Sequence, residues 1–195
     1  VPDTRPPLVL ASASQRRLDL LARLGIIPGQ VIATDIDETP LRRETPRPHA
    51  ARLALGKAEA AVLRVPDALV LAADTVVGVG RRILPKAENE AQAQECLTLL
   101  SGRRHKVTTA VVLALPDGRR LKRVVESAVT FQRLTEQQMA DYLAGGEWRG
   151  KAGGYAIQGR AESFIRFLSG SHSNVVGLPL FETAQLLRGI GWLRP

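Results

Sequence analysis

The run Ala68-Leu69-Val70-Leu71-Ala72-Ala73 contains no polar side chain. A strand that is apolar on both faces must be covered on both faces, which is the situation of a central strand in an α/β fold. Leu8-Val9-Leu10-Ala11 is a second, shorter run of the same kind. It passes through Ser12-Ala13-Ser14-Gln15-Arg16-Arg17 into a helix with Leu18, Leu21 and Leu24 on one face, closed by Gly25. A strand-like stretch covers 30–33, and the Pro-rich loop 40–48 leads into a helix from about His49 to Leu63. Asn89 with Gln92 reads as a capping box, opening a helix that buries Ala93, Cys96, Leu97 and Leu100. Strands over about 105–115 and 121–131 flank Pro116-Asp117-Gly118, a hairpin turn signal. Thr135 and Gln138 form another capping box, for a helix stopped by Gly145-Gly146. Beyond it lie a Gly-rich strand over 152–159, a strand over 163–168, the loop 170–174 and a final helix near Pro179. Strands and helices in this order, with one hairpin, give an α/β fold with a mixed sheet and flanking helices.

At 195 residues the chain fits a single domain, 1–195, or two small lobes sharing a core. Its apolar share, 45%, excludes a disordered chain, and with aromatics at only 4% the core must be aliphatic. No apolar run approaches the length of a membrane span, and the segment Val1 to Pro7 lacks signal-peptide architecture. Cys96 is the single cysteine, so no intrachain disulfide forms, and a cytoplasmic location is expected. Net charge is +8 and unevenly spread: residues 1–100 hold 13 basic and 12 acidic side chains, residues 101–195 hold 14 and 7. A basic second half suits a polyanion, either nucleic acid or a phosphorylated metabolite, but equally an arginine-rich surface. The Arg/Lys pairs lack interleaved aromatics, so no specific nucleic-acid platform is expected.

Several residues sit where packing alone would not put them. Arg16 and Arg17 occupy the first turn of a helix, the end at which the helix dipole disfavours cations. With Ser12, Ser14 and free backbone N–H groups they would suit a phosphate, or else stand solvated beyond a serine cap. Lys57 falls on the apolar stripe of its helix, so its ammonium needs an anionic partner or must snorkel to the edge. Asp74 ends the most buried strand candidate, where a carboxylate can hold a divalent metal, take a proton from water, or simply begin a turn. The acidic group Asp35, Asp37 and Glu38 could coordinate a hard cation or remain solvated. Lys86 alone reads as an exposed lysine. Gln158, flanked by Gly153-Gly154 and Gly159, could read a base edge with its amide. His49, His105 and His172 are too far apart for a zinc pair, and Cys96 fits a helix core stripe.

Taken in order, LASASQRRLDLLARLGI, DETP, RLALGKAEAA, AADTVV, LPKA, LSGRRHKVTTAV, KAGGYAIQG and GSHSNVVGLPL resemble the Maf family of nucleoside triphosphate pyrophosphatases over nearly the whole chain. The resemblance implies a two-lobed α/β fold related to the inosine triphosphatase type, with a cleft between lobes and often a homodimer. It implies hydrolysis of a nucleoside triphosphate to the monophosphate and pyrophosphate with a divalent metal, Mg²⁺ or Mn²⁺. The family's proton acceptor falls on Asp74, and its pocket positions fall on Ser12, Arg17, Glu38, Lys57 and Lys86. Under that resemblance Ser12, Arg17, Lys57 and Lys86 bind phosphate, while Glu38 and Asp74 hold the metal. Three positions separate substrate types, and Arg16, Thr75 and Gln158 match the dTTP/UTP type rather than the 7-methyl-GTP type. The chain departs from the family pattern at Gln15, at Pro85-Lys86-Ala87 and at His172. The alternatives are a pyrophosphatase for modified nucleotides and a non-catalytic protein acting in cell division or on nucleic acid.

Overall fold

The computed structural model of the chain describes residues 5–194; Pro195 and Val1 to Thr4, the latter part of the segment read above for a signal peptide, lie outside the described residues. The elements in chain order are β1 (Leu8–Ala11), α1 (Gln15–Arg23), β2 (Gln30–Val31), α2 (Pro46–Val62), β3 (Leu69–Val79), β4 (Arg82–Leu84) and α3 (Glu90–Leu100). There follow β5 (Arg104–Ala114), β6 (Arg120–Phe131), α4 (Glu136–Gly145), a 3₁₀ turn (Arg160–Phe164), β7 (Ile165–Ser169), α5 (His172–Val176) and α6 (Leu180–Gly189). The strands form one mixed sheet ordered β2-β1-β3-β5-β6-β7, with β4 also paired to β3. β1 lies parallel to both β2 and β3, whereas β3, β5, β6 and β7 alternate antiparallel.

Pleating sorts the central residues by parity. Val9, Ala11, Val70, Ala72, Val76, Ala110 and Val112 pack on one face against Ala50, Ala54, Ala58 and Ala61 of α2. Leu8, Leu10, Leu69, Leu71, Ala73, Val77, Val107 and Val111 pack on the other, against Leu20 and Leu21 of α1 and Leu97 and Leu100 of α3. The alanine face of α2 lets that helix approach the sheet closely, and the larger aliphatic and aromatic side chains fill the opposite layer.

The expected hairpin is present, with Gly118 at φ 91° in its turn, and Thr135 and Gln138 make a reciprocal capping box. Five readings need correction. Asp74 does not end its strand, because β3 continues to Val79. The Gly-rich segment 152–159 is not a strand: Gly153 and Gly154 have φ of 67° and 68°, which breaks extended geometry. The strand expected over 163–168 begins as the 3₁₀ turn and becomes β7 only at Ile165. The loop 170–174 winds into α5, with Ser171 accepting from the backbone N–H of Asn174. Gln92 also differs slightly from a capping box, since its side chain accepts from Glu88 rather than from the cap residue Asn89.

Candidate active site

The site lies in a notch in the sheet. Along one edge of β3, β1 pairs only as far as Ala11↔Ala72, and β4 begins only at Val77↔Leu84. Residues 73–76 therefore have no strand partner on that side, while β5 pairs with β3 continuously on the other. The chain leaving β1 turns aside through Ser12, Ala13 and Ser14 into α1. A cavity of about 500 Å³ fills the space, lined by Ser12 to Arg17, Glu38, Lys57, Asp74, Thr75, Lys86 and the segment Arg149 to Ala152, among others.

Asp74 and Thr75 are neighbours in sequence, so they face opposite sides of the sheet. Asp74 has the parity of Val70, Ala72 and Val76 and points toward α2; Thr75 has the parity of Leu71 and Ala73 and points toward α1 and α5. Both still line one cavity, because the cavity wraps around the end of β1.

On the α2 side, Lys57 Nζ lies 2.6 Å from Asp74 Oδ1 and 2.7 Å from Glu38 Oε1. Glu38 Oε2 in turn accepts from Lys86. The anionic partner demanded by Lys57 on its apolar stripe is thus a pair of carboxylates. Burial works to raise the Glu38 carboxyl, but hydrogen bonds and charge from Lys57 and Lys86 outweigh it and hold the group at about 2. Asp74 is only 2% exposed, and its hydrogen bond from Lys57 falls on Oδ1, leaving Oδ2 for a water in the cavity.

On the other side, Arg17 is buried, and three of its five N–H bonds go to neutral oxygens. Nε donates to the Gly177 carbonyl at 2.8 Å, Nη1 to Ser12 Oγ at 2.9 Å and Nη2 to Thr75 Oγ1 at 3.2 Å. Thr109 Oγ1 donates to the Asn174 carbonyl at 2.9 Å, so at the 2.9 Å Thr75–Thr109 contact the proton comes from Thr75. The result is a relay, Arg17 to Thr75 to Thr109 to the backbone of α5. Desolvation lowers the guanidinium of Arg17, opposed by the field of Asp74 and Glu38.

Of the residues singled out from sequence, Ser12, Arg16, Arg17, Glu38, Lys57, Asp74, Thr75 and Lys86 converge on the cavity. Gln158 does not line it and is exposed. Asp35 and Asp37 also stay off its wall, and Asp37 accepts from the backbone of Thr39. Arg149, Lys151 and Tyr155 line the cavity without having been anticipated. The charge excess of the second half was the available signal for the first two. Glu44 was missed as well: its carboxylate takes Nε and Nη2 of Arg52 at 2.8 Å each, Leu41 N–H at 2.9 Å, and His49 Nδ1 at 2.7 Å. That clasp fastens the loop following Glu38 onto α2.

For a divalent cation the donor set is two carboxylates, Glu38 and Asp74, brought to a common point by one ammonium. No group of three or more His, Cys, Asp or Glu side chains forms among the described residues. Two carboxylates, with phosphate oxygens and water completing the sphere, fit a hard cation such as Mg²⁺.

Residues 7–190 match the family model described as Maf-like protein. The dTTP/UTP pyrophosphatase of Granulibacter bethesdensis is 63% identical over 98% of this chain and 96% of its own length. Those of Novosphingobium aromaticivorans and Caulobacter vibrioides are 61% and 62% identical, covering 95% and 96% of this chain and 92% and 97% of theirs. Among solved structures, the Ham1 protein of Staphylococcus aureus overlays 64% of this chain and 71% of its own at 20% identity, with a TM-score of 0.47.

Proposed function

The chain belongs to the Maf family, and we propose that it is a nucleoside triphosphate pyrophosphatase, hydrolysing dTTP and UTP to the monophosphate and pyrophosphate. The observation that carries the reading is the pairing of Asp74 and Lys57 beside an open notch crowded with cations, in a chain about 60% identical to proteins named dTTP/UTP pyrophosphatase. A pyrophosphatase specialised for modified nucleotides, or a non-catalytic protein, is not favoured by those relatives.

In this reading Asp74 Oδ2 accepts the proton of the water that attacks the α-phosphate. Lys57 orients Asp74, and it keeps Glu38 beside it. Glu38 and Asp74 would hold Mg²⁺ or Mn²⁺, which when bound neutralises charge on the triphosphate and polarises the reacting phosphorus. Lys86, ion-paired to Glu38 Oε2, stabilises the charge that builds on the leaving pyrophosphate. The N-terminus of α1 offers backbone N–H groups next to Ser12, with Arg16 beside them. Arg17 acts through the relay to Thr75. Arg16, Thr75 and Gln158 select the base. Gln158 stands outside the cavity, so that role requires the Gly-rich segment to bring its amide to the ring. We read the chain as one domain with two lobes about the cleft, acting in the cytoplasm, where nucleoside triphosphates are held. A homodimer is compatible with this reading.

The test is pyrophosphate release from a panel of the common and modified nucleoside triphosphates, with and without metal, for wild type and Asp74→Asn. UTP and dTTP should lead the panel, and the variant should fold while losing about 10²–10⁴-fold in turnover. Faster cleavage of 7-methyl-GTP than of UTP would contradict the substrate assignment. A folded Asp74→Asn protein with near-normal turnover would remove Asp74 from the chemistry.

A further inference from the structure

We propose that Lys151, working across the cavity from Arg16, binds the β- and γ-phosphates, the part of the substrate that departs as pyrophosphate. The proposal rests on the pyrophosphatase reading and adds a residue to it.

Six cations line the cavity, Arg16, Arg17, Lys57, Lys86, Arg149 and Lys151, against two carboxylates, Glu38 and Asp74. Their partners sort them. Lys57 and Lys86 are ion-paired to those two carboxylates. Arg17 commits three of its five N–H bonds to oxygens of Gly177, Ser12 and Thr75. Among the described residues Arg16, Arg149 and Lys151 have no carboxylate within ion-pair distance. Arg149 Cζ lies over the Trp148 ring, 4.6 Å from its centroid, and the residue is exposed. Lys151 is half-buried, and its ammonium makes one hydrogen bond, 3.1 Å to the carbonyl of Arg149. Two of its three donors are therefore free for a ligand.

The backbone around Lys151 is not free to carry it away from the cavity. Ala87 N–H donates to the Lys151 carbonyl at 3.1 Å, Gly150 N–H to Ala87 at 2.8 Å and Gly153 N–H to Pro85 at 2.9 Å, with Lys86 bridged to Ala152. The segment bearing Lys151 is thus laced to the loop bearing Lys86. Gly153 seats it on β3: a Cβ there would come within 2.9 Å of Val77 Cγ1. Burial lowers the Lys151 ammonium, the positive field of Arg16 lowers it further and the field of Glu147 works against both, so Arg16 lies within electrostatic reach of Lys151. Among the described residues neither ammonium nor guanidinium is ion-paired, and an anion between two like charges on one cavity wall relieves their repulsion. A triphosphate supplies one, and the geometry orders it. Its α-phosphate belongs beside Asp74 and Glu38, so its tail belongs between the N-terminus of α1 and Lys151.

The experiment is calorimetric titration of inorganic pyrophosphate and, separately, UMP, in excess Mg²⁺, into wild type, Lys151→Met and Lys151→Arg. Expected for Lys151→Met is pyrophosphate binding weakened about ten- to hundredfold, the scale of one charge-assisted hydrogen bond. UMP affinity should stay within about twofold, and Lys151→Arg should recover most of the pyrophosphate affinity. In steady state Lys151→Met should raise KM for UTP by a similar factor, with kcat changed little. Unchanged pyrophosphate affinity, or equal weakening of pyrophosphate and UMP, overturns the proposal. Because the titration needs no turnover, Lys151-dependent pyrophosphate binding in a protein that cleaves no triphosphate would sink the functional reading alone.

Discussion

At the scale of single residues, the site is held together by hydroxyls as much as by charges. Thr75 donates to Thr109 and accepts from Arg17, so its one proton is committed to the protein and one lone pair is left. Toward the substrate its hydroxyl can only accept, and it presents that oxygen, its methyl group and its backbone at a fixed position. Thr109 has no place on the cavity wall, yet it sets that position. Replacing Thr109 by Val keeps the shape and removes the acceptor, leaving buried hydroxyl and carbonyl groups unpaired at a cost of about 1–3 kcal/mol. The expected outcome is a lowered denaturation midpoint, together with a several-fold loss in the ratio of kcat/KM for UTP over CTP. Thr109→Ser should restore the ratio, which a purely structural role in the core would not require. Arg17 illustrates what sequence could and could not reveal. Its position in the first turn of a helix marked it as a residue needing acceptors, and that was legible. That the acceptors are Gly177, Ser12 and Thr75 was not, because Gly177 lies 160 residues away and only the packing of α5 beside α1 brings it near.

At the scale of elements, the loop between β2 and α2 matters more than its irregular sequence suggests. Glu44 draws together Leu41, His49 and Arg52, and Arg52 also donates to the Thr39 carbonyl, so the segment just after Glu38 is pinned to the first turns of α2. Hydrogen bonds from Arg52 above all, then Leu41 and His49, hold the Glu44 carboxyl at about 2 against the opposing effect of burial. A depressed carboxylate contributes stability that is present above its ordinary value near 4.5 and is lost as pH falls toward 2. Thermal unfolding followed against pH should therefore show a steeper fall between those limits for wild type than for Glu44→Gln. At neutral pH the variant should melt lower and show a raised KM, since Glu38 loses its anchored neighbour. The regular elements were largely readable because helix stripes, caps and the hairpin turn are local signals. The segment 152–159 was misread for a physical reason: alternating small and apolar residues look like a strand until φ is known at Gly153 and Gly154. Glu44 was invisible for the opposite reason, since an acidic residue in a Pro-rich loop carries no periodicity.

At the scale of the whole molecule, the sheet supplies a rigid floor and leaves the chemistry to an interruption in it. Two core layers hold β3 from both sides, β5 pairs its full working length, and only the short stretch between β1 and β4 is open. Asp74 and Thr75 emerge there on opposite faces, one toward the carboxylate–lysine cluster and the other toward the hydroxyl relay. That alternation constrains how the gene can change. Substitutions along β3 can be absorbed one at a time, but inserting or deleting a single codon upstream of Asp74 within the strand would turn every following side chain to the other face. The carboxylate would then meet Thr109 and the threonine would meet Lys57, while Val76 and Val77 exchanged core layers. A gain or loss of length is tolerable only where pleating has ended, as at the Gly80-Arg81 turn. Descendants of this chain can therefore drift in composition while the spacing from Leu69 to Val77 stays fixed.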